Sequence, residues 1–258
     1  MIDLTAFVPE SEELILLQSK CHVPPPAPDV LARERLYSQL DGWPSRRLTF
    51  IQGAPGFGKT MLAAGWLRSR REAFAALSAE VSWVSLDQQD NDPRLFLAYV
   101  AAALQPAAPA AVTAVEQNLR RAQFDQRRAL TILLNGIASR GAPLLLVLDD
   151  YQHITNERIH HAVRWILEQG PANLHLLILS RQGPPPALGS FGTLAGLLLL
   201  DTEDLRFHQD EIGRFVEQLL GRVSDRELAE LAALSGGWIT GLKLAAFQLP
   251  HDADAGTY

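Results

Sequence analysis

The sequence predicts an α/β fold in which a parallel five-stranded sheet lies between helices and is followed by a small all-α helical domain. Three observations predict it. From residue 30 to residue 200, apolar runs of strand length alternate with amphipathic helical patterns, the rhythm of a parallel sheet covered on both faces. A glycine-rich turn, Gly53 to Thr60, follows the first of these runs and leads into a helix-compatible stretch. After about Asp201 the strand-length runs cease and only helical patterns remain.

A chain of 258 residues can bury the core of one α/β domain with a smaller appendage. Its net charge of −6 offers no global basic field to DNA, RNA or an anionic membrane, so any nucleic-acid contact must be local or lie outside this chain. The single cysteine, Cys21, has no internal disulfide partner, and no Cys/His spacing resembles a zinc site, which fits a reducing compartment. The N-terminus lacks a basic n-region, and the apolar run Leu14 to Leu17 is too short for a signal peptide or a membrane span. The expected location is the cytoplasm, with no membrane partner.

Taken in order, residues 1–29 read as an extended leader, because Pro24-Pro25-Pro26-Ala27-Pro28 cannot be helical. The α/β domain is expected over 30–200, with strands at Leu48 to Gln52, Val81 to Leu86, Leu144 to Asp149, Leu174 to Ser180 and Leu194 to Leu200. Asp92 followed by Pro93 signals a helix start, with Phe96, Tyr99, Val100, Ala103 and Leu104 on one face. The Arg-rich segment Val112 to Arg128, with Arg120, Arg121, Arg127 and Arg128 in pairs, reads as a solvated helix face, since Phe124 alone accompanies the charges. Thr155 is the expected cap of a helix burying Ile159, Val163, Ile166 and Leu167.

The helical domain is expected over 201–258. Ile212, Phe215, Val216, Leu219 and Leu220 form one stripe, and Ser224 with Glu227 forms a capping box ahead of Leu228, Leu231 and Leu234. A third helix containing Trp238, Leu242, Ala245 and Leu249 ends before Pro250.

The chemistry concentrates in Gly53-Ala54-Pro55-Gly56-Phe57-Gly58-Lys59-Thr60, a G-x-x-x-x-G-K-[ST] phosphate-binding loop with a strand before it and a helix opening at Met61 after it. Glycines let the backbone curl so that N–H groups converge on phosphate oxygens, and the helix N-terminus adds positive charge. Lys59 is expected to reach the β- and γ-phosphates of ATP, and the Thr60 hydroxyl to coordinate Mg²⁺. These features make the fold class that of a P-loop NTPase.

The run Leu144 to Asp150 is an apolar strand ending in two carboxylates, which a strand buried on both faces tolerates only at the carboxyl edge of the sheet. Asp149 is the candidate for the magnesium shell, and Asp150 for orienting or deprotonating the attacking water. Arg181, at the end of the fourth strand, is placed to sense the γ-phosphate. In the loop Asp87 to Asp92, turn chemistry accounts for the residues other than Asp87 and Asp90, which are further candidates for holding magnesium or water. His153, His160 and His161 have no nucleophile at a useful spacing and receive no catalytic role.

Together the motifs resemble the large ATP-binding transcription regulators with a LuxR-type DNA-binding domain, typified by the activator of the maltose regulon. These are signal-transducing ATPases with numerous domains. The resembling stretches are Val30 to Leu36, the phosphate loop, Trp83 to Asp87, Asp149-Asp150-Tyr151, Leu179-Ser180-Arg181, Asp204 to Phe207 and Gly236 to Leu242. The resemblance implies that Arg33 and Glu34 lie near the adenine, that the helical domain closes over the base, and that ADP holds an inactive monomer. It also implies that ATP permits self-association of the whole protein, with DNA bound through a domain outside this chain. Winged-helix, sensor and DNA-binding domains are expected to follow residue 258, so the chain reads as the N-terminal portion of a longer activator. Relatives often carry Pro where this chain has Ile239, so no base contact is carried over to that position.

The function expected is thus an ATP/ADP-binding switch with slow Mg-dependent ATPase activity, because a state that must persist cannot be erased by rapid chemistry. The alternative is an energy-coupling ATPase of the AAA+ type, which needs an arginine finger; Arg140 and Arg181 are the basic candidates near strand ends. A small-molecule kinase ranks last, since the helical tail carries no Arg cluster for a second phosphorylated substrate.

Overall fold

Strands β1 (Leu48–Gln52), β2 (Glu80–Ser85), β3 (Leu144–Asp149), β4 (Leu174–Ser180) and β5 (Leu197–Leu200) form one parallel sheet in the order β2-β3-β4-β1-β5. This computed structural model describes residues 14–25, 27, 30–188, 196–221 and 223–247. The α/β class expected from the sequence is therefore observed. Each strand lies within a residue or so of its expected span, except that β5 begins at Leu197; Leu194 and Ala195, where that strand was expected to start, lie outside the described residues.

Both faces of the sheet are covered, which is why the strands read as continuous apolar runs. Along β3, Leu144, Leu146 and Leu148 enter one core, while Leu145 and Val147 enter the other. On the second face lie α1 (Glu34–Leu40), α2 (Lys59–Ser69) and α3 (Arg71–Ala76), which contribute Leu36, Tyr37, Trp66 and Phe74. The first face is covered by α4 (Pro93–Ala103), α5 (Pro109–Leu119), α6 (Gln126–Arg140) and α7 (Glu157–Gln169). Asp92 caps α4 as expected, accepting from the N–H groups of Arg94 and Leu95.

Three local expectations need correction. The cap of α7 is Asn156 rather than Thr155: its side chain accepts from the Arg158 N–H, while the Thr155 N–H donates to Asn91 Oδ1. The Arg-rich segment is not one helix face, because α5 ends at Leu119 and α6 starts afresh behind the Asp125 cap. The leader is not simply extended. Gln18–Cys21 forms a 3-10 turn, and Lys20 inserts its ammonium between Asp90 (2.5 Å) and Asp87 (3.0 Å).

The helical appendage comprises a short turn α8 (Thr202–Leu205) followed by α9 (Gln209–Leu220), α10 (Asp225–Ser235) and α11 (Ile239–Ala246). It has its own small core of Phe207, Ile212, Phe215, Val216, Leu231 and Leu242. The Ser224–Glu227 capping box forms as expected. Leu234, expected to be inward, is 78% exposed, and Leu249 lies outside the described residues. Among the described residues no helix is long and apolar enough to cross a membrane.

Candidate nucleotide-binding site

The phosphate loop joins the carboxyl end of β1, which lies between β4 and β5, to the N-terminus of α2. Gly56 and Gly58 have φ of +81° and +73°, a region in which a Cβ is strained. A side chain at Gly56 would also come within 2.5 Å of the Thr240 hydroxyl, so the loop and the appendage approach this closely only over glycine.

Lys59 is 8% exposed and its ammonium turns onto the loop, donating to the carbonyls of Gly53 (2.6 Å) and Ala54 (3.4 Å). Burial pulls its pKa down, and Arg181 adds to this, while Asp150 and Asp149 oppose it. The Thr60 hydroxyl donates to both oxygens of Asp149, at 3.1 and 3.0 Å. Asp149 is 3% exposed; burial, and then the neighbouring Asp150 charge, push its carboxyl up to about 6, against the stabilising bonds from Thr60 and the Asp150 N–H.

Asp150 sits in the left-handed region at φ +56°, one of two described non-glycine residues with positive φ. That conformation turns the chain sharply off the end of β3. The Gln152 side chain fixes the result: its Nε2 donates to Asp150 Oδ1 at 2.7 Å, and its Oε1 accepts from the Arg181 N–H at 2.9 Å. Gln152 thereby joins the ends of β3 and β4. Sequence reasoning missed it, and a Gln two residues beyond an acidic strand end carries no recognisable signal.

Beside the loop, an apolar cleft of about 220 Å³ is lined by Val30, Leu31, Met61, Phe207, Phe215 and Ile239. Such a surface suits the flat face of an adenine base. The appendage closes over it from above. The Trp238 indole donates to the Pro55 carbonyl (3.2 Å), and Thr240 donates to the Gly56 carbonyl through both its hydroxyl (2.9 Å) and its N–H (3.2 Å).

Arg33 also lines this cleft, but its guanidinium is occupied elsewhere. It makes a buried bidentate pair with Glu211 (3.1 and 2.9 Å) and donates to the carbonyls of Leu205 and Arg206. Glu34 turns away to pair with Arg70 at 2.7 Å and does not line the cleft. The structure therefore gathers Gly53–Met61, Asp149, Asp150 and Arg181 at one edge, ties Arg33 into the joint between the two parts, and leaves the Glu34 carboxylate apart. Lys20 bridges Asp87 and Asp90, its ammonium taking the place between the two carboxylates that a metal would need. Arg140 precedes β3, at the opposite edge of the sheet, where it donates to the Ser78 carbonyl. Its place rules out a role at this chain's own phosphate loop.

The donor set fits a magnesium nucleotide. A hydroxyl and a carboxylate, both oxygen ligands, are held together beside a buried ammonium, as a hard divalent cation shared with phosphates requires. Comparison with known proteins gives the family and the fold. Residues 44–183 match the AAA domain family. The chain is 33% identical over 234 residues to the HTH-type transcriptional regulator MalT of Serratia proteamaculans, covering 90% of this chain and 25% of that protein. It is 34% identical to MalT of Yersinia enterocolitica over the same shares. The chain thus spans about a quarter of the length of the curated relatives it matches. Among solved structures, it resembles a Signal Transduction ATPase with Numerous Domains (STAND) protein with a tetratricopeptide repeat sensor from Pyrococcus horikoshii. There the TM-score is 0.59 at 16% identity, over 91% of this chain and 31% of that one. Cdc6p from Pyrobaculum aerophilum follows at a TM-score of 0.52 and 17% identity, over 87% and 61%. These two likenesses speak to the fold alone.

Proposed function

Because the chain belongs to the AAA domain family, we propose that it is an ATP/ADP-binding switch with slow Mg-dependent ATPase activity, forming the N-terminal part of a cytoplasmic multidomain transcription activator. The observation that carries this reading is the seating of α11 directly on the phosphate loop: Trp238 and Thr240 donate to the carbonyls of Pro55 and Gly56. These bonds join the loop that would grip the nucleotide to the helical domain that covers it, so nucleotide state and the position of the helical domain are linked. The resemblance in sequence to the MalT regulators favours transcription as the output, with DNA bound through a domain outside this chain and self-association of the whole protein in its ATP state.

In this reading Lys59 leaves the carbonyls of Gly53 and Ala54 for the β- and γ-phosphates. Thr60 and Asp149 would hold a magnesium ion, which would supply charge neutralisation of the phosphate oxygens. Asp150, steadied by Gln152, orients the attacking water and accepts its proton. Arg181 stands at the end of β4 for the γ-phosphate, its backbone fixed through the same Gln152. The apolar cleft lined by Met61, Phe207 and Phe215 takes the base.

Single-turnover ATP hydrolysis, measured with the nucleotide content of the purified protein, tests the reading. Retained ADP with very slow turnover is the expected result. Rapid steady-state hydrolysis without any partner would favour the energy-coupling alternative and remove the switch.

A further inference from the structure

We propose that a second ligand site, separate from the phosphate loop, lies where α5, α6 and α7 meet, and that it takes a small molecule bearing two phosphoryl groups. The site is a cleft of about 530 Å³ around Asn118, Arg121, Arg127, Arg128 and Arg158, of a size that suits a small metabolite.

Asn118 is the observation that points to a ligand. The residue is 3% exposed and lines the cleft, and its side chain has no hydrogen-bond partner at either Oδ1 or Nδ2. A buried amide left with neither donor nor acceptor satisfied costs stability, and apolar residues of similar size would have filled the same space without that cost.

The charges around it are of one sign. Four guanidiniums line the cleft against the single carboxylate of Asp125, in a chain whose net charge is −6. Among the described residues, no hydrogen bond or ion pair engages the side chains of Arg121, Arg127, Arg128 or Arg158. The Asp125 carboxylate is turned to its own helix, accepting from the Arg128 N–H as the cap of α6. These arginines arrive from three elements: Arg121 just after α5, Arg127 and Arg128 in the first turn of α6, and Arg158 in the first turn of α7. Both α6 and α7 are long enough to present a positive N-terminal end at the rim, and the Gln126 amide, donating to the Arg158 carbonyl at 2.9 Å, holds the two ends together.

Guanidinium forks from several directions match the oxygens of phosphoryl groups, and a pair of such groups uses more of them than one can. The buried amide adds a donor for a phosphoryl oxygen and an acceptor for a hydroxyl, which distinguishes a sugar bisphosphate from a bare diphosphate.

The test is calorimetry on the whole chain pre-saturated with Mg-ADP, so that the phosphate loop is filled, with fructose 1,6-bisphosphate and pyrophosphate as separate titrants. Saturable binding of either with Kd below about 1 mM is expected, weakened at least about tenfold in the doubly substituted Arg127→Ser, Arg128→Ser protein. Both replaced side chains are exposed, so that variant keeps its fold, as unchanged ADP affinity will report. In Asn118→Leu, a sugar bisphosphate should lose more affinity than pyrophosphate. No saturable heat with either titrant, equal affinity in the Arg variant, or preferential binding of a single-stranded oligonucleotide over both would each overturn the proposal.

Discussion

The Thr240 hydroxyl donates to the Gly56 carbonyl at 2.9 Å, so the first turn of α11 rests on the middle of the phosphate loop. One hydrogen bond of this kind contributes about 1 kcal/mol. Thr240→Val should therefore speed release of a fluorescent ADP analogue by a few-fold in stopped flow, and Trp238→Phe, which removes the indole donor to Pro55, should act in the same direction. Release at the parent rate in both proteins would break the link between helical domain and loop.

The loop and strand-end residues divide binding from cleavage. Lys59→Ala is expected to abolish measurable binding of Mg-ATP in calorimetry. Asp150→Asn should bind ATP with near-parent affinity while its single-turnover cleavage slows by at least about a hundredfold, the usual scale for loss of a general base. Cleavage at the parent rate in Asp150→Asn would assign that carboxylate no part in the chemistry.

Arg33 and Glu211 make a pair that is almost wholly buried where the helical domain meets the α/β domain, with side chains 4% and 3% exposed. Removing one member strands the other: Arg33→Ala should destabilise the protein by about 3–5 kcal/mol in urea denaturation. Arg33→Met combined with Glu211→Leu should recover much of that loss. A small effect of the single change would mean that the pair is not what joins the two parts.

Lys20 and Asp90 form a second buried pair, tying the leader to the loop after β2. Burial alone would lower the Lys20 pKa, but the bonds to Asp90 and Asp87 outweigh it and hold the ammonium above its usual value. Because the folded pKa exceeds the unfolded one, this stabilisation is full below pH 10.5 and is lost as the pH rises beyond it. Lys20→Met should lower the melting temperature at pH 8 by several degrees and flatten the alkaline decline that the parent shows. A parent-like melting profile in this variant would show that the leader is not held through the pair.

His175 lies in β4 with its ring nitrogen 2.5 Å from the Arg46 carbonyl and its ring edge-on to Trp43. Burial lowers its pKa below the ordinary 6.5, although the carbonyl opposes the shift. The folded state therefore resists protonation, and the stability contribution is full above pH 6.5 and lost as the pH falls through the depressed value. The drop in melting temperature between pH 7 and pH 5 should be smaller in His175→Gln than in the parent, with His160, shifted in the same direction, accounting for part of what remains.

Much of this was legible because it is local. The phosphate loop needs glycines at fixed positions before Lys59 and Thr60, and a strand buried on both faces can end in Asp149 and Asp150 only at an edge. The Asp92 cap and the Ser224–Glu227 box are likewise decided within four residues of chain. The α7 cap was misjudged by one residue because Thr155 and Asn156 are both good caps, and the choice fell to Asn91, 64 residues away, which accepts from the Thr155 N–H. Lys20 in a proline-rich leader offered no sign that it would seek out Asp90, 70 residues on.

The sequence by itself determined the alternating α/β core, the phosphate loop and the carboxylate pair, since each follows from backbone geometry and from which residues water rejects. Only the tertiary structure decided that Gln152 braces Asp150 and Arg181, that Arg33 bonds Glu211, that Glu34 turns to Arg70, and that α11 sits on Gly56. Those pairings join polar groups far apart along the chain, and a charged or amide side chain takes whichever complementary partner the packed core brings within about 3 Å. Periodicity and spacing say which face of an element is buried; they carry no information about which distant group will meet it there.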